Sequence, residues 1–152
     1  MFRSFVIVFL LSPFALSQVR VSMLGTDFKS HEQIDVKITN AGTSTVSYCV
    51  EFGQFSFKTG TGTVEDMENT PIPFYVQKQN GGRWSTLLIG PDIGGSRHAV
   101  VLKAGESQQY PFRLNDHGRM RLVLDYLRGE NDRVCENPKG KKTTRSNIFV
   151  VN

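Results

Sequence analysis

The chain has 152 residues, enough for one domain with a single core, and its 39% hydrophobic content is ordinary for a globular protein. It carries 18 Lys and Arg against 14 Asp and Glu, a formal charge of +4 that is scattered along the chain. Because nucleic-acid-binding domains usually show a clustered basic stripe, this balance argues against a nucleic-acid partner. The 14 Gly and 11 Phe favour sheet and turns over helices.

The first 17 residues have the three parts of a secretory signal peptide. A positive charge at Arg3 precedes an apolar run over residues 5–11, and the small residues Ala15 and Ser17 mark a cleavage site. The alternative is a membrane anchor, but a spanning helix needs about 20 apolar residues, and this run is shorter and is followed by a proline.

We therefore expect residues 1–17 to be removed and residues 18–152 to form one secreted or periplasmic domain. After cleavage, no stable membrane insertion is expected, because no other stretch of the sequence is long and apolar enough to span a bilayer.

The two cysteines of the chain, Cys49 and Cys135, are expected to form a disulfide in an oxidising compartment. They are too far apart in sequence for a C-x-x-C redox pair. In the chain-entropy model, closing a loop of this length contributes about 4–5 kcal/mol. The alternative is two unrelated free thiols.

Alternation of apolar and polar residues with a period of two dominates the chain after Gln18 and is typical of half-buried strands. The Asn-Gly-Gly run at 80–82 is a strong hairpin signal between two such segments. About eight short strands separated by turns predict an antiparallel β-sandwich, with a closed barrel as the alternative. The segments with strand character are 19–23, 34–38, 46–52, 74–79, 83–89, 97–102, 110–114, 120–126 and 147–151.

Two segments, 53–73 and 128–145, show no clear strand pattern and are predicted to be long loops, which are often functional or mobile. The core is predicted from the apolar positions of the alternating segments. Its expected members are Val36, Ile38, Val50, Phe74, Val76, Leu122 and Leu124.

Five short stretches suggest a family: 32–40 (EQIDVKITN), 73–78 (PFYVQK), Trp84 after the glycine turn, 102–107 (LKAGES) and 146–150 (SNIFV). Together they resemble small secreted bacterial immunoglobulin-like domains, including those grouped with a proteinase inhibitor. The resemblance covers most of the chain after residue 17. It implies an immunoglobulin-like β-sandwich without shared catalytic residues.

Catalytic and metal-binding patterns are weak. His31, His98 and His117 lie in separate turn or strand-edge contexts, without the spacing of a metalloprotease or a nucleophile elbow. The acidic run 65–68 lacks the ordered pattern of a calcium loop. We therefore expect no enzyme activity and no cofactor.

Exposed aromatic and basic residues are the candidates for ligand binding. Aromatic rings can stack on a sugar or a peptide, although a Trp beside a hairpin is more often a core residue. A lysine-rich segment can bind an anionic polysaccharide, although such segments are more often solvated loops. The candidate binding residues are Trp84, Tyr75, Lys139, Lys141, Lys142 and Arg145.

The sequence thus predicts a secreted, non-enzymatic interaction module whose partner is a protein or a polysaccharide. The alternative function is a proteinase inhibitor in which an exposed loop at 53–73 occupies a protease cleft.

The signal-peptide prediction has a direct test. Intact-mass analysis of exported protein is expected to give a chain that begins at or near Gln18, because the charge, the apolar run and the cleavage site act together. Exported protein that retained residues 1–17 would contradict the expectation.

Overall fold

The computed structural model of the protein describes residues 18–58, 64–87 and 96–152, so the predicted signal peptide lies outside the described residues. These residues form twelve strands and one 3-10 turn at Val134–Glu136. The strands are β1 (Val19–Met23), β2 (Asp27–Phe28), β3 (Gln33–Asn40), β4 (Val46–Lys58), β5 (Val64–Ile72), β6 (Tyr75–Asn80), β7 (Arg83–Thr86), β8 (Ser96–Leu102), β9 (Ser107–Arg113), β10 (Gly118–Arg128), β11 (Lys142–Arg145) and β12 (Phe149–Val151).

The strands pair into two sheets. The smaller sheet has the order β1-β3-β9, and the other nine strands form the larger sheet. All pairs are antiparallel except the short parallel pair of β12 with β2. The predicted all-β sandwich is confirmed, with more strands than expected, and the described strands do not close into a barrel. No helix among the described residues is long and apolar enough to cross a membrane.

Strand β10 is the centre of the larger sheet because both of its edges are paired along most of their length. One edge pairs first with β6 and then with β4, and the other pairs first with β12 and then with β11. Ser146 lies where the chain passes from β11 to β12. Its hydroxyl accepts a hydrogen bond from the Leu122 backbone N–H at 2.9 Å, and its own N–H donates to the Leu122 carbonyl at 3.0 Å. A polar side chain therefore satisfies the backbone of β10 at the break between two partner strands.

The core lies between the two sheets and contains residues from both. All seven core residues predicted from sequence are buried, and Leu122 and Leu124 are fully buried on β10. Burying a Leu side chain contributes roughly 1.5–3 kcal/mol, so the inward positions of the central strand are a main source of stability. The confirmed core residues are Val36, Ile38, Val50, Phe74, Val76, Leu122 and Leu124.

The predicted hairpin between β6 and β7 is confirmed. Asn80 pairs with Arg83, and the two residues between them, Gly81 and Gly82, both have positive φ, at 54° and 80°. This is the backbone geometry of the tight hairpin turn that glycine adopts without a steric penalty.

The prediction of a long loop at 53–73 is wrong, whereas most of 128–145 lies outside the strands as predicted, because β10 ends at Arg128 and β11 begins at Lys142. Strand β4 continues to Lys58 and pairs with β5, and a register shift interrupts the pairing between Gly53 and Phe55. The second segment contains the 3-10 turn and β11. In the first segment, the register shift between Gly53 and Phe55 interrupts the alternation of side chains along β4, so a pattern with a period of two does not mark this strand. The predicted strand 83–89 is shorter in the structure, where β7 ends at Thr86.

Two buried tyrosines join the sheets inside this core. Tyr48 lies on β4 and Tyr110 on β9, their hydroxyl oxygens are 2.8 Å apart, and their rings meet edge to face. Burial raises the pKa of both phenols, and for Tyr48 the hydrogen bond to Tyr110 raises it further. The neutral pair therefore satisfies two polar groups that would otherwise be buried without partners.

A second polar link between the sheets is the buried side chain of Asn40 at the end of β3. Its amide donates to the carbonyl oxygens of Ser44 at 2.9 Å and Leu102 at 3.0 Å, and its side-chain oxygen accepts from the Gly42 N–H at 3.1 Å. One residue thus holds the β3–β4 turn and connects the smaller sheet to β8 of the larger sheet.

The tyrosine pair predicts an asymmetric mutational response. Replacing Tyr48 by Phe leaves the Tyr110 hydroxyl buried without its partner and is expected to lower the free energy of unfolding by about 1–3 kcal/mol. Replacing both tyrosines by Phe removes both hydroxyls and is expected to cost less than the single change. Urea unfolding at pH 7 measures the difference, and a double variant less stable than either single variant would contradict it.

The same pair sets a response to alkaline pH. Because the folded-state pKa of each phenol lies above the ordinary value of 10.0, the stability contribution is fully present below about pH 10 and is lost as pH rises beyond it. Unfolding between pH 8 and 11 is expected to show a smaller alkaline loss in the double Phe variant. Identical pH profiles for the wild type and this variant would exclude the pair as the cause.

Candidate functional site

The outer face of the larger sheet is set by the alternation of β10. Met120, Leu122 and Leu124 are fully buried toward the core. Successive side chains of a strand point to opposite faces, so Arg121 and Val123 lie on the outer face.

The partner strands place more side chains beside these two. Val123 lies opposite Tyr75 of β6 on one edge and opposite Arg145 of β11 on the other, and Arg121 lies opposite Gln77. Residues directly opposite in antiparallel strands share a face. An aromatic ring, an amide and two guanidinium groups are therefore neighbours on the outer face.

Trp84 on β7 completes this group. It lies opposite Gln79 of β6, and Thr86, two positions further along β7, lies opposite Gln77. The Arg121 guanidinium carbon lies 4.1 Å from the centre of the Trp84 ring, and Arg121 Nε donates to Gln77 Oε1 at 2.9 Å. This is cation–π geometry. We call the surface formed by Tyr75, Gln77, Trp84, Arg121 and Arg145 the outer platform.

The interpretation of Trp84 as a core residue is wrong. Its side chain is half-buried and lies outside the core cluster. The reason is that, among the described strands, β7 pairs with β6 alone at the margin of the larger sheet, and the register with Gln79 turns Trp84 to the outer face.

The charges of the outer platform influence one another. Desolvation and then the charge of Arg145 lower the pKa of Arg121, although an Arg side chain stays protonated in proteins. Burial and then the carboxylate of Asp125 raise the pKa of Tyr75, and both arginines oppose this shift. Among the described residues, neither Arg121 nor Arg145 forms a salt bridge with a carboxylate. Two cations are thus held near one another without a salt-bridge partner from the part of the chain that the structure describes.

A cavity of about 180 Å³ adjoins the outer platform at Tyr75. It lies where β10 leaves β6 and begins to pair with β4, and its walls include Asp125, Lys141, Glu51 and Cys49. Asp125 accepts a hydrogen bond from Thr143 Oγ1 at 2.7 Å, which fixes the carboxylate at the wall. The cavity lining therefore combines both signs of charge, from Glu51, Asp125 and Lys141, with the phenol of Tyr75.

The segment 129–141, between β10 and β11, is held against this side of the larger sheet by a disulfide and by hydrogen bonds to β4. The predicted disulfide between Cys49 and Cys135 is confirmed, with the two Cα atoms 4.9 Å apart. The Ser47 hydroxyl donates to the Gly129 carbonyl at 2.7 Å and accepts from the Asn131 N–H at 2.9 Å. These contacts, with the fully buried Val134, fix the segment that carries Lys141.

The structure brings together four of the six candidate binding residues: Trp84, Tyr75 and Arg145 on the outer platform, and Lys141 at the adjoining cavity. Lys142 lies on the opposite side of β11, the side on which Thr144 is buried and donates to the Val19 carbonyl. Lys139 is exposed in the turn before β11.

Sequence reasoning missed Arg121 and Gln77. The signal for Arg121 was present, because a basic residue stands between two apolar positions of the clearest alternating strand. Nothing in the sequence indicated the pairing with β6 that brings Gln77 and Trp84 to it.

Among the described residues, titratable side chains outside the outer platform form no comparable group. No cluster of three or more His, Cys, Asp or Glu that could hold a metal occurs in the part of the chain that the structure describes. His31, His98 and His117 are exposed, and the ring of His98 stacks on Phe52 at 4.7 Å. The side chains of the acidic run 65–68 lie outside the described residues.

Comparisons with known proteins give low similarity. No family model and no curated protein matches the chain. The chain is similar to the ASH / PapD-like domain 7 of human CEP192, with 12% identity, a TM-score of 0.35 and coverage of 99% of this chain and 96% of that one. It is also similar to Spo0M, a sporulation control protein from Bacillus subtilis, with 11% identity, a TM-score of 0.37 and coverage of 90% of this chain and 50% of that one. At these TM-scores neither likeness carries an argument about function, and the sandwich is assigned from the strand pairing itself.

The disulfide has a testable role in fixing the cavity wall. Cys135→Ser opens a loop between residues 86 positions apart and is expected to lower the melting temperature by about 10 °C while the β-rich circular dichroism spectrum is kept. Reduction of the wild-type protein is the matched control and is expected to give the same shift. An unchanged melting temperature, or free thiols in the denatured, unreduced protein, would show that the bridge does not fix this segment.

Proposed function

We propose that the protein is a secreted, non-enzymatic interaction module that binds its ligand on the outer platform. The observation that carries the proposal is the Arg121 guanidinium held 4.1 Å over the Trp84 ring, with Arg145 nearby. Within the described residues, neither cation has a carboxylate partner. Such an arrangement adds little to folding, because nearby like charges repel, but it prepares a surface that gains energy when a ligand supplies the missing partners.

The rigidity of the surroundings supports a binding role. Four of the five platform residues lie on β6, β10 and β11, strands whose backbones are paired across the central sheet. Gln77 holds the Arg121 side chain through its hydrogen bond, so the guanidinium loses little further freedom when it binds a ligand. Sites built on strands keep their geometry better than sites on loops.

Secretion is supported by the signal-peptide pattern and by the disulfide. The bridge between Cys49 and Cys135 fits an oxidising compartment, since cytosolic proteins rarely keep structural disulfides. Absence of catalysis is part of the proposal, since the outer platform presents binding groups and no nucleophile paired with a base.

The alternative of a proteinase inhibitor depended on a long loop at 53–73. Most of that segment is paired in β4 and β5, so the feature on which the alternative rested is a two-stranded hairpin.

Another cavity, of about 200 Å³, lies on the smaller sheet and is lined by residues that include Met23, Leu24, Asp35 and Lys37. Its lining has no aromatic ring and no arginine. The outer platform is therefore the better candidate for ligand binding.

The proposal is tested by retention of the purified protein on immobilised cellulose, xylan, polygalacturonate and gelatin. The wild type is expected to be retained on at least one of these, and Trp84→Ala is expected to weaken that binding about tenfold or more, about 1.4 kcal/mol. Leu24→Ala, an exposed apolar change beside the smaller sheet, is the control and is expected to bind as the wild type does. Binding that Trp84→Ala leaves unchanged would place recognition elsewhere, and retention on none of the four materials would count against a binding module of this type.

A further inference from the structure

The cations of the outer face follow a regular arrangement on the larger sheet. Arg119 and Arg121 lie two positions apart on β10, about 6.8 Å along the strand and on the same face. Arg145 continues the row one strand over, opposite Val123. We call these three residues the arginine row.

A second row of polar side chains runs beside the first on β6. Tyr75, Gln77 and Gln79 alternate on the outer face, with Tyr75 opposite Val123 and Gln77 opposite Arg121. These side chains offer one phenolic hydroxyl and two amides, which both donate and accept hydrogen bonds. The two rows together present donors, acceptors and positive charge on one sheet face.

No salt bridge among the described residues gives the arginine row an acidic partner. The salt bridges among the described residues join Lys78 to Asp116 and Arg97 to Glu51, and neither includes a member of the row. Asp125 is engaged by Thr143. The complementary ligand therefore carries negative charge at intervals, and guanidinium groups bind carboxylate and sulfate groups through paired hydrogen bonds.

We infer that the ligand of the outer platform is an acidic polysaccharide, a sugar polymer with carboxylate or sulfate groups. This inference rests on the proposed function and adds the ligand class. The amides and the phenol of the second row hydrogen-bond to hydroxyl groups of sugars, and the arginine row binds the acidic groups. Side chains on one face recur at every second residue of a strand, which fits a ligand that is itself a linear repeat.

A protein partner fits this surface less well. The buried centre of a protein interface is largely apolar, whereas the outer platform alternates guanidinium and amide groups around a single Trp. A peptide that adds a strand uses backbone groups at a sheet edge, while the groups of the outer platform are side chains on the face of the sheet.

A nucleic acid also fits less well. Single-stranded nucleic acids bind through exposed aromatic faces on which successive bases stack, but one face of Trp84 is occupied by Arg121.

The experiment measures binding of the purified protein by calorimetry to polygalacturonate, its fully methyl-esterified form, dextran sulfate, dextran and single-stranded DNA. Polygalacturonate or dextran sulfate is expected to bind at least tenfold more tightly than its neutral counterpart. Binding is expected to weaken as salt rises from 50 to 300 mM, about a 2.4-fold shorter screening length, because exposed charges are screened.

Matched variants locate the binding. Arg121→Gln with Arg145→Gln is expected to lose at least tenfold in affinity for the acidic polymer. Arg20→Gln with Arg113→Gln removes the same charge from exposed positions of the smaller sheet and is expected to stay within twofold of the wild type. Melting curves of both double variants verify that they are folded.

The outcomes separate this inference from the proposed function. Neutral polymers that bind as tightly as acidic ones, with binding lost in Trp84→Ala and kept in the double arginine variant, would overturn the acidic ligand and leave the outer platform as a binding site. An equal loss of affinity in the two double variants would show that binding depends on the net charge of the protein and not on the outer platform, and would overturn the inference. Tighter binding to DNA than to either acidic polymer would replace the ligand class by nucleic acid. Binding that depends on neither Trp84 nor the arginines would overturn both proposals.

Discussion

Strand β10 constrains almost every other part of this protein. Its two edges pair with four different strands, so its backbone has little freedom to shift in register. A shift of one residue would move Leu122 and Leu124 out of the core and bring Arg121 into it. The same alternation that buries the apolar residues thus positions the basic residues of the outer face, and the core and the candidate site are two sides of one strand.

The changes of partner along β10 give the sheet its local features. On one edge, the passage from β11 to β12 is bridged by Ser146, whose side chain replaces a missing strand partner for Leu122. On the other edge, the passage from β6 to β4 leaves the cavity beside Tyr75 and Asp125. The Ser146 side chain thus fills the gap between β11 and β12, whereas the gap between β6 and β4 remains as a cavity that has space for a ligand group.

Polar groups are also used inside the sandwich, and they are satisfied there. The hydroxyl pair of Tyr48 and Tyr110 and the amide of Asn40 each connect one sheet to the other. Such pairs add little net energy, but each group is expensive to leave without a partner, so they favour one relative placement of the sheets over others. The platform residues differ because part of their hydrogen-bonding and charge capacity is left to solvent, as expected for a surface that meets a ligand.

Local alternation in the sequence was sufficient to predict the all-β class, the core positions on β3, β6 and β10 and the hairpin at Gly81 and Gly82, because these depend on period and turn chemistry within a few residues. The two cysteines and the signal pattern also predicted the bridge between Cys49 and Cys135, since only one pair was possible. The β4–β5 hairpin, the position of Trp84 at the sheet margin and its contact with Arg121 were decided only by the tertiary structure. Each depends on which strands pair and in which register, and that choice is made by backbone hydrogen bonds and burial summed over the whole sandwich, which no local pattern contains.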